Sequence, residues 1–179
     1  MRLLISIAAV LLTLSAVPYH DYRGNVEYYP CESVGPEYAA HGLPLLTDTK
    51  SAAVHRASSI ARIPPYYLAA ISYAETICGR DMIHTDPWDI SEFGLHERPG
   101  YHRERVRKWG EYDAYNYDDA AQIAALELAE ELDHWPTAAL AFSAYTNGQR
   151  GTRRQGIDTK YVARVQQYLD MIGVSVYSE

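Results

Sequence analysis

Positive charge is scarce in this chain: 16 Lys and Arg stand against 23 Asp and Glu, a formal charge of −7 over 179 residues. That balance excludes a nucleic-acid binder held by a basic field. Cysteine is almost absent, with only Cys31 and Cys78, and no Cys/His pairing falls at zinc spacing. The seven His (His20, His41, His55, His84, His96, His102, His134) form no H-E-x-x-H, so no metal is expected. A Walker loop, a G-x-G-x-x-G turn and a G-x-S-x-G elbow are all missing, so no cofactor is expected either. Phenylalanine occurs twice against 16 Tyr. A Tyr bias fits a wet, ring-stacking surface or a Tyr-filled core equally well. With 47% hydrophobic and 22% charged residues, the composition is that of an ordinary globular domain.

Long apolar runs are also lacking, with one exception. Residues 1–17 read Arg2 and then Leu3, Leu4, Ile5 and onward to Ala16, a charged start followed by about fifteen apolar positions. This pattern predicts a secretory signal peptide, being short of the ~20 residues of a membrane span. An uncleaved anchor is the alternative, because Leu14 sits badly for a cut after Ala16. Export to the periplasm, cell envelope or medium would put Cys31 and Cys78 in an oxidising compartment, where they either pair or remain buried thiols.

Sustained strand alternation is missing too, and the remaining pattern is helical. Residues 18–47 carry Tyr, Pro and Gly without a period and read as an extended N-terminal segment. From Asp48 or Thr49 a helix runs through Ile63, with Val54, Ala57 and Ala61 on one face, and Pro64-Pro65 ends it and opens the next. That second helix, Tyr66 to about Cys78, is closed by Gly79. Asp118 caps a long helix through Leu132, and Pro136 opens another that ends at Asn147-Gly148. Asp158 caps the last, carrying Val162, Val165, Leu169 and Ile172. The stretch from Arg80 to Tyr117 reads as irregular, with room for a small hairpin between Asp86 and Leu95. The expected fold class is therefore mainly α, about five helices over 48–175.

Glu75 is the anomaly in the second helix. At 100° per residue it projects from the stripe made by Leu68, Ile71 and Cys78, and a carboxylate on a buried face has its acid form favoured by desolvation. Pairing with Arg80 or Arg62, or a helix rotated so that the side chain snorkels to solvent, would be the purely structural explanation.

The run Ile63-Pro64-Pro65-Tyr66-Tyr67-Leu68-Ala69-Ala70-Ile71-Ser72-Tyr73-Ala74-Glu75-Thr76 resembles the opening of the lytic transglycosylase domain of lysozyme-like fold, I-x-P-x-L-x-x-A-I-x-x-x-E-S. Phe93-Gly94-Leu95-His96-Glu97 stands where that family has G-L-M-Q. Ala139 to Gly148 is similar to its A-L-A-A-Y-N-A-G, and Tyr161-Val162-x-x-Val165 to its Y-V-x-x-V. The likeness spans about residues 50 to 172. Thr76 replaces the Ser after the glutamate, His96 and Glu97 replace M-Q, and Thr146 follows Tyr145, with Asn147 one place later.

The resemblance implies that Glu75 protonates the bond between N-acetylmuramic acid and N-acetylglucosamine. As carboxylate it then deprotonates the muramoyl 6-hydroxyl, which closes on C1 to a 1,6-anhydro end. Thr76, Leu95, Glu97, Tyr145, Asn147 and Tyr161 would contact or orient the sugar or the acid. Peptidoglycan glycan strands are the implied partner, and a secretion or phage-entry apparatus the implied setting. Asp81, Asp86, Asp89 or Glu92 would make the domain a lysozyme-type hydrolase if one activated water. A wall-binding or assembly factor of the same fold without activity is the third alternative. The basic cluster Arg98, Arg103, Arg105, Arg107 and Lys108 reads either as a contact for anionic surface or as a solvated face neutralised by Glu97, Glu104 and Glu111.

Overall fold

The computed structural model describes residues 48–78 and 91–177. The signal segment 1–17, the extended segment 18–47, Cys31, Gly79, Asp81, Asp86 and Asp89 lie outside the described residues. Six helices are present among them: α1 (Asp48–Ala61), α2 (Pro65–Thr76), α3 (Pro99–Trp109), α4 (Tyr117–His134), α5 (Ala138–Gln155) and α6 (Thr159–Met171). The chain is mainly α, with no strand among the described residues. Of the stretch expected to have room for a hairpin, Asp86 to Leu95, residues 86–90 lie outside the described residues and 91–95 form a turn.

Helix α2 is the centre of the assembly. Its residues Tyr67 to Ser72 are all buried, which is the mark of a helix surrounded on every side. It packs against α1, α4 and α6, while α1 lies along α4 and α4 along α5. Small residues permit these close approaches: Ala120, Ala121, Ala124 and Ala125 of α4 and Ala138, Ala139 and Ala141 of α5 are all buried. The expected inner face of α6 is in place, with Val162, Val165 and Leu169 fully buried and Ile172 just beyond the helix.

Helix ends follow local chemistry. Arg62 turns left-handed at φ 59° after α1, and the Ile63 N–H returns to the Ser58 carbonyl at 3.0 Å. Pro64 and Pro65 then open α2. Thr137 and Asp158 cap α5 and α6 through their side chains. The cap of α4 is Asn116 rather than Asp118, its side chain accepting from the Asp118 and Asp119 N–H groups, so α4 begins at Tyr117 and runs to His134.

Three further expectations need correction. The α2 helix is stopped at Thr76 by Ile77 and Cys78, both left-handed at φ 49° and 57°, and not by a glycine. The α5 helix does not finish at Asn147-Gly148. Gly148 takes a non-helical conformation (φ 68°, ψ 158°) and a second helical stretch continues to Gln155. The stretch from Arg80 to Tyr117 is not wholly irregular, because it contains α3. The only buried residue of α3 is Arg105, so this helix has no apolar stripe to announce it.

Candidate active site

Glu75 lies in the last turn of α2, half-buried, and faces a turn formed by residues 91–95. That turn is built by Ser91. Its carbonyl accepts from the Gly94 N–H at 3.2 Å, and its hydroxyl accepts from the Phe93 and Leu95 N–H groups at 3.2 and 3.0 Å. Gly94 sits at φ +67°, and a β-carbon added there would stand 2.5 Å from Cδ of Glu75 and 2.7 Å from its Oε2. The carboxylate therefore rests on the backbone of Gly94, in a space that only glycine leaves open.

Three helices hold the turn under the carboxylate. From α2, the Thr76 hydroxyl lies 3.1 Å from both the Ser72 and the Glu92 carbonyl oxygens and can donate to either. From α5, the Tyr145 hydroxyl donates to the Phe93 carbonyl at 2.7 Å. From α1, Lys50 forms an ion pair with Glu92 and lies over the Tyr117 ring.

Tyr161, in the first turn of α6, supplies the group behind the acid. Its hydroxyl is buried and closes no hydrogen bond of good geometry. Burial first, then the charge of Glu75 and the neighbouring Tyr145, hold its pKa well above the ordinary 10.0. The ring stays a neutral phenol beside the carboxylate. Arg164 approaches the Tyr161 ring from outside, 5.7 Å from its centroid.

In front of Glu75 lies an open groove of about 700 Å³. Gly94 and His96 line it near the acid, and Tyr145 to Gln149 form a wall at the α5 kink. The opposite wall is the face of α3 that carries Tyr101, Glu104, Arg105 and Lys108, spaced i, i+3, i+4 and i+7, with Trp109 beside it. Glu127, Glu130 and Glu131 of α4 complete it.

The charges in these walls are largely paired. Arg105 donates to Glu127 at 2.7 Å, to Glu97 at 3.0 Å and to the His96 carbonyl at 2.6 Å. Burial alone would lower its pKa, but Glu127 outweighs that and holds the guanidinium firmly charged. Burial raises the Glu127 carboxyl above the ordinary value even though Arg105 opposes it. Glu97 also accepts from the Tyr112 hydroxyl at 2.6 Å and meets His102 at 2.7 Å, and burial followed by the Glu97 contact keeps the Tyr112 phenol far above its usual range. Lys108 reaches Glu130 at 2.8 Å, and Glu131 takes the Trp135 indole N–H at 2.9 Å.

The residues expected around the substrate divide into two groups. Glu75, Tyr145 and Asn147 line the groove, and Tyr161 stands behind Glu75. Thr76, Leu95 and Glu97 do not line it. Thr76 ties α2 to the 91–95 turn, and Leu95 is a core residue, 1% exposed. Glu97 is consumed by Arg105, Tyr112 and His102, so it anchors α3 where a sugar contact was expected. Of the basic cluster, Arg105 and Lys108 are neutralised chiefly from α4, by Glu127 and Glu130, with Glu97 also on Arg105 and Glu104 3.9 Å from Lys108. Gly94, Tyr101 and Glu127 are site residues that were not anticipated as such. Gly94 was visible inside the F-G-L-H-E run, whereas the helix that carries Tyr101 has no apolar stripe from which it could be read.

Cys78 is disulfide-bonded, one residue beyond the left-handed Ile77 that ends the Glu75 helix. Among the described residues no three His, Cys, Asp or Glu side chains gather as they would to hold a metal ion, and no helix is long and apolar enough to cross a membrane. No protein-family model, curated protein or solved structure matches this chain.

Proposed function

We propose that this chain is a peptidoglycan lytic transglycosylase of lysozyme-like fold, exported by its N-terminal segment and acting through Glu75. The observation that carries the reading is the seat of Glu75: a carboxylate at the head of an open groove, resting on Gly94, with Tyr145 beside it and the neutral Tyr161 phenol behind. The four sequence runs of the family resemblance supply these four residues.

In this reading the protonated Glu75 donates its proton to the glycosidic oxygen as the bond to C1 of N-acetylmuramic acid breaks. The acetamido group of the same sugar stabilises the oxocarbenium-like centre. The resulting Glu75 carboxylate removes the proton of the muramoyl 6-hydroxyl, whose oxygen closes on C1. Acid and base are one residue, the proton count is restored, and no water enters. Ordinary retaining and inverting glycosidases use a second carboxylate. Of the residues first considered for that task, Glu92 is tied to Lys50 and is not part of the groove lining. Glu127 and Glu130 in the groove are each engaged by a cation. Glu131 is held by Trp135 and Gln149 and Glu104 lies beside Lys108, so among the described residues no second carboxylate stands uncommitted in the groove, which supports the transglycosylase; Asp81, Asp86 and Asp89 lie outside the described residues. Local opening of the wall for a secretion apparatus or for phage passage fits a small exported wall-cutter, by analogy of fold alone.

Mass spectrometry of muropeptides released from purified peptidoglycan tests the reading, with Glu75→Gln as control. Anhydromuramoyl ends that vanish in the variant are the expected result. Reducing muramoyl ends would mean a hydrolase. No release by the unaltered protein would leave a wall-binding or assembly factor in its place.

A further inference from the structure

We propose that Tyr101 is the sugar-stacking platform of the groove and sets which glycan units the site accepts. The inference rests on the glycan-cleaving reading and extends it to a residue of α3, a helix outside the four runs that carried the family resemblance.

Tyr101 stands in the first turns of α3, lines the same groove as Glu75, and is 55% exposed. Among the described residues its ring meets His96 in a tilted approach, centroids 6.3 Å apart, and at 55% exposure much of its aromatic surface stays open at the groove lining. An exposed phenol ring in a groove offers an apolar face with a polar tip, which suits the C–H face and hydroxyl rim of a pyranose. The other aromatics of the groove are less available. Trp109 and Tyr145 are both half-buried, and the Lys108 ammonium lies over the Trp109 ring at 5.3 Å.

The surroundings of the ring favour a neutral sugar. Glu104 lies one turn along on the same helix face and lines the groove, and Arg105 and Lys108 on that face are paired with carboxylates. An unmodified N-acetylhexosamine presents hydroxyl and amide N–H donors to such acceptors and brings no charge of its own. The unit held on Tyr101 is thus an N-acetylated, uncharged sugar such as N-acetylglucosamine, lying along the groove from the bond cut at Glu75.

The test uses an N-acetylglucosamine hexamer and purified peptidoglycan with the full mature chain. Binding is measured by titration calorimetry and cleavage by initial rates. Tyr101→Ala is expected to weaken hexamer binding and raise KM by about tenfold with kcat nearly unchanged, the scale of one lost aromatic face contact. Tyr101→Phe and Tyr101→Trp should restore both, because the flat face rather than the hydroxyl carries the contact. Tyr115→Ala is the control: that ring is 79% exposed and does not line the groove, so its removal should leave KM unchanged. Equal binding and equal KM in Tyr101→Ala, in a protein whose parent binds the hexamer, would overturn the platform and leave the Glu75 chemistry standing. A parent chain that binds and cleaves no glycan would overturn both.

Discussion

A β-carbon on Gly94 would stand 2.5 Å from the carboxyl carbon of Glu75, so the emptiness of one residue defines the position of the other. Gly94 also sits at φ +67°, where an L side chain costs on the order of 1 kcal/mol even in open space. The two demands have different consequences. The backbone demand is a matter of stability, whereas the close approach is a matter of where the acid points.

Gly94→Ala should therefore lose muropeptide release out of proportion to stability. We expect a drop of about 100-fold in kcat, since displacement of an acid by about an ångström is worth that much, with a stability loss of only about 1–2 kcal/mol. Thermal melting followed by circular dichroism, run beside the release assay, separates the two. An active Gly94→Ala would mean that the Glu75 carboxylate is not held where catalysis needs it.

Tyr161→Phe makes the opposite separation. The hydroxyl is buried against Glu75 but closes no hydrogen bond of good geometry, so deleting it should change stability by no more than about 1 kcal/mol. Activity should fall about tenfold or more if the phenol orients the Glu75 carboxyl during proton transfer. Urea unfolding and kcat measured on one preparation decide the point: a variant that is stable and fully active would reduce Tyr161 to a core aromatic.

Which parts of this arrangement were legible in the sequence follows from what each part is made of. Pro64-Pro65 and Asp158 act through their nearest neighbours in the chain, so the boundaries they set could be read locally, whereas the helix expected to open at Pro136 is capped one residue later by Thr137. Helix α3 could not, because it faces the groove with Glu104, Arg105 and Lys108 and buries only Arg105. Apolar periodicity has nothing to detect in such a helix. Glu75 was readable because a carboxylate beside Leu68, Ile71 and Cys78 is out of place. Its seat on Gly94 was not, since residues 75 and 94 are distant in the chain and no local pattern pairs them. The same holds for Glu97, whose partners Arg105 and Tyr112 take it away from the groove.

Asp158 links stability to pH at the edge of the site. It accepts the Tyr161 N–H at 3.0 Å, the Asn147 amide at 2.9 Å and the Lys160 N–H at 3.1 Å, and the first two contacts are the main causes of its lowered pKa. A carboxylate with a depressed folded-state pKa contributes stability that is present above its unfolded value, near 3.8, and lost as the pH falls through the folded value. Asp158→Ala should cost about 1 kcal/mol at neutral pH, the worth of a helix cap. The gap to the parent should shrink as the pH drops below about 4. Denaturant titrations at pH 7, 5 and 3 check it, and a gap that stays constant would show that the ionised form contributes nothing.

Arg105 sets the stability of the groove wall. Its guanidinium is 10% exposed and joins α3 to Glu127 of α4 and to Glu97 and the His96 carbonyl just past the Gly94 turn. Arg105→Ala strands two poorly exposed carboxylates, which should cost about 3 kcal/mol at neutral pH. Arg105→Lys should recover only part of that, because an ammonium cannot span the three acceptors in one plane. Burial already raises the Glu127 carboxyl above its usual 4.5, with Arg105 opposing the rise. Without Arg105 the rise is larger, and a group of raised folded-state pKa contributes stability that is present below its unfolded value and lost as the pH climbs through the folded one. The deficit of Arg105→Ala should thus be greatest at pH 7 and shrink as the pH falls below about 4.5, where Glu127 becomes protonated in both states. Urea midpoints across that range measure it, and a deficit that stays constant on acidification would show that Arg105 holds the wall by packing rather than by charge.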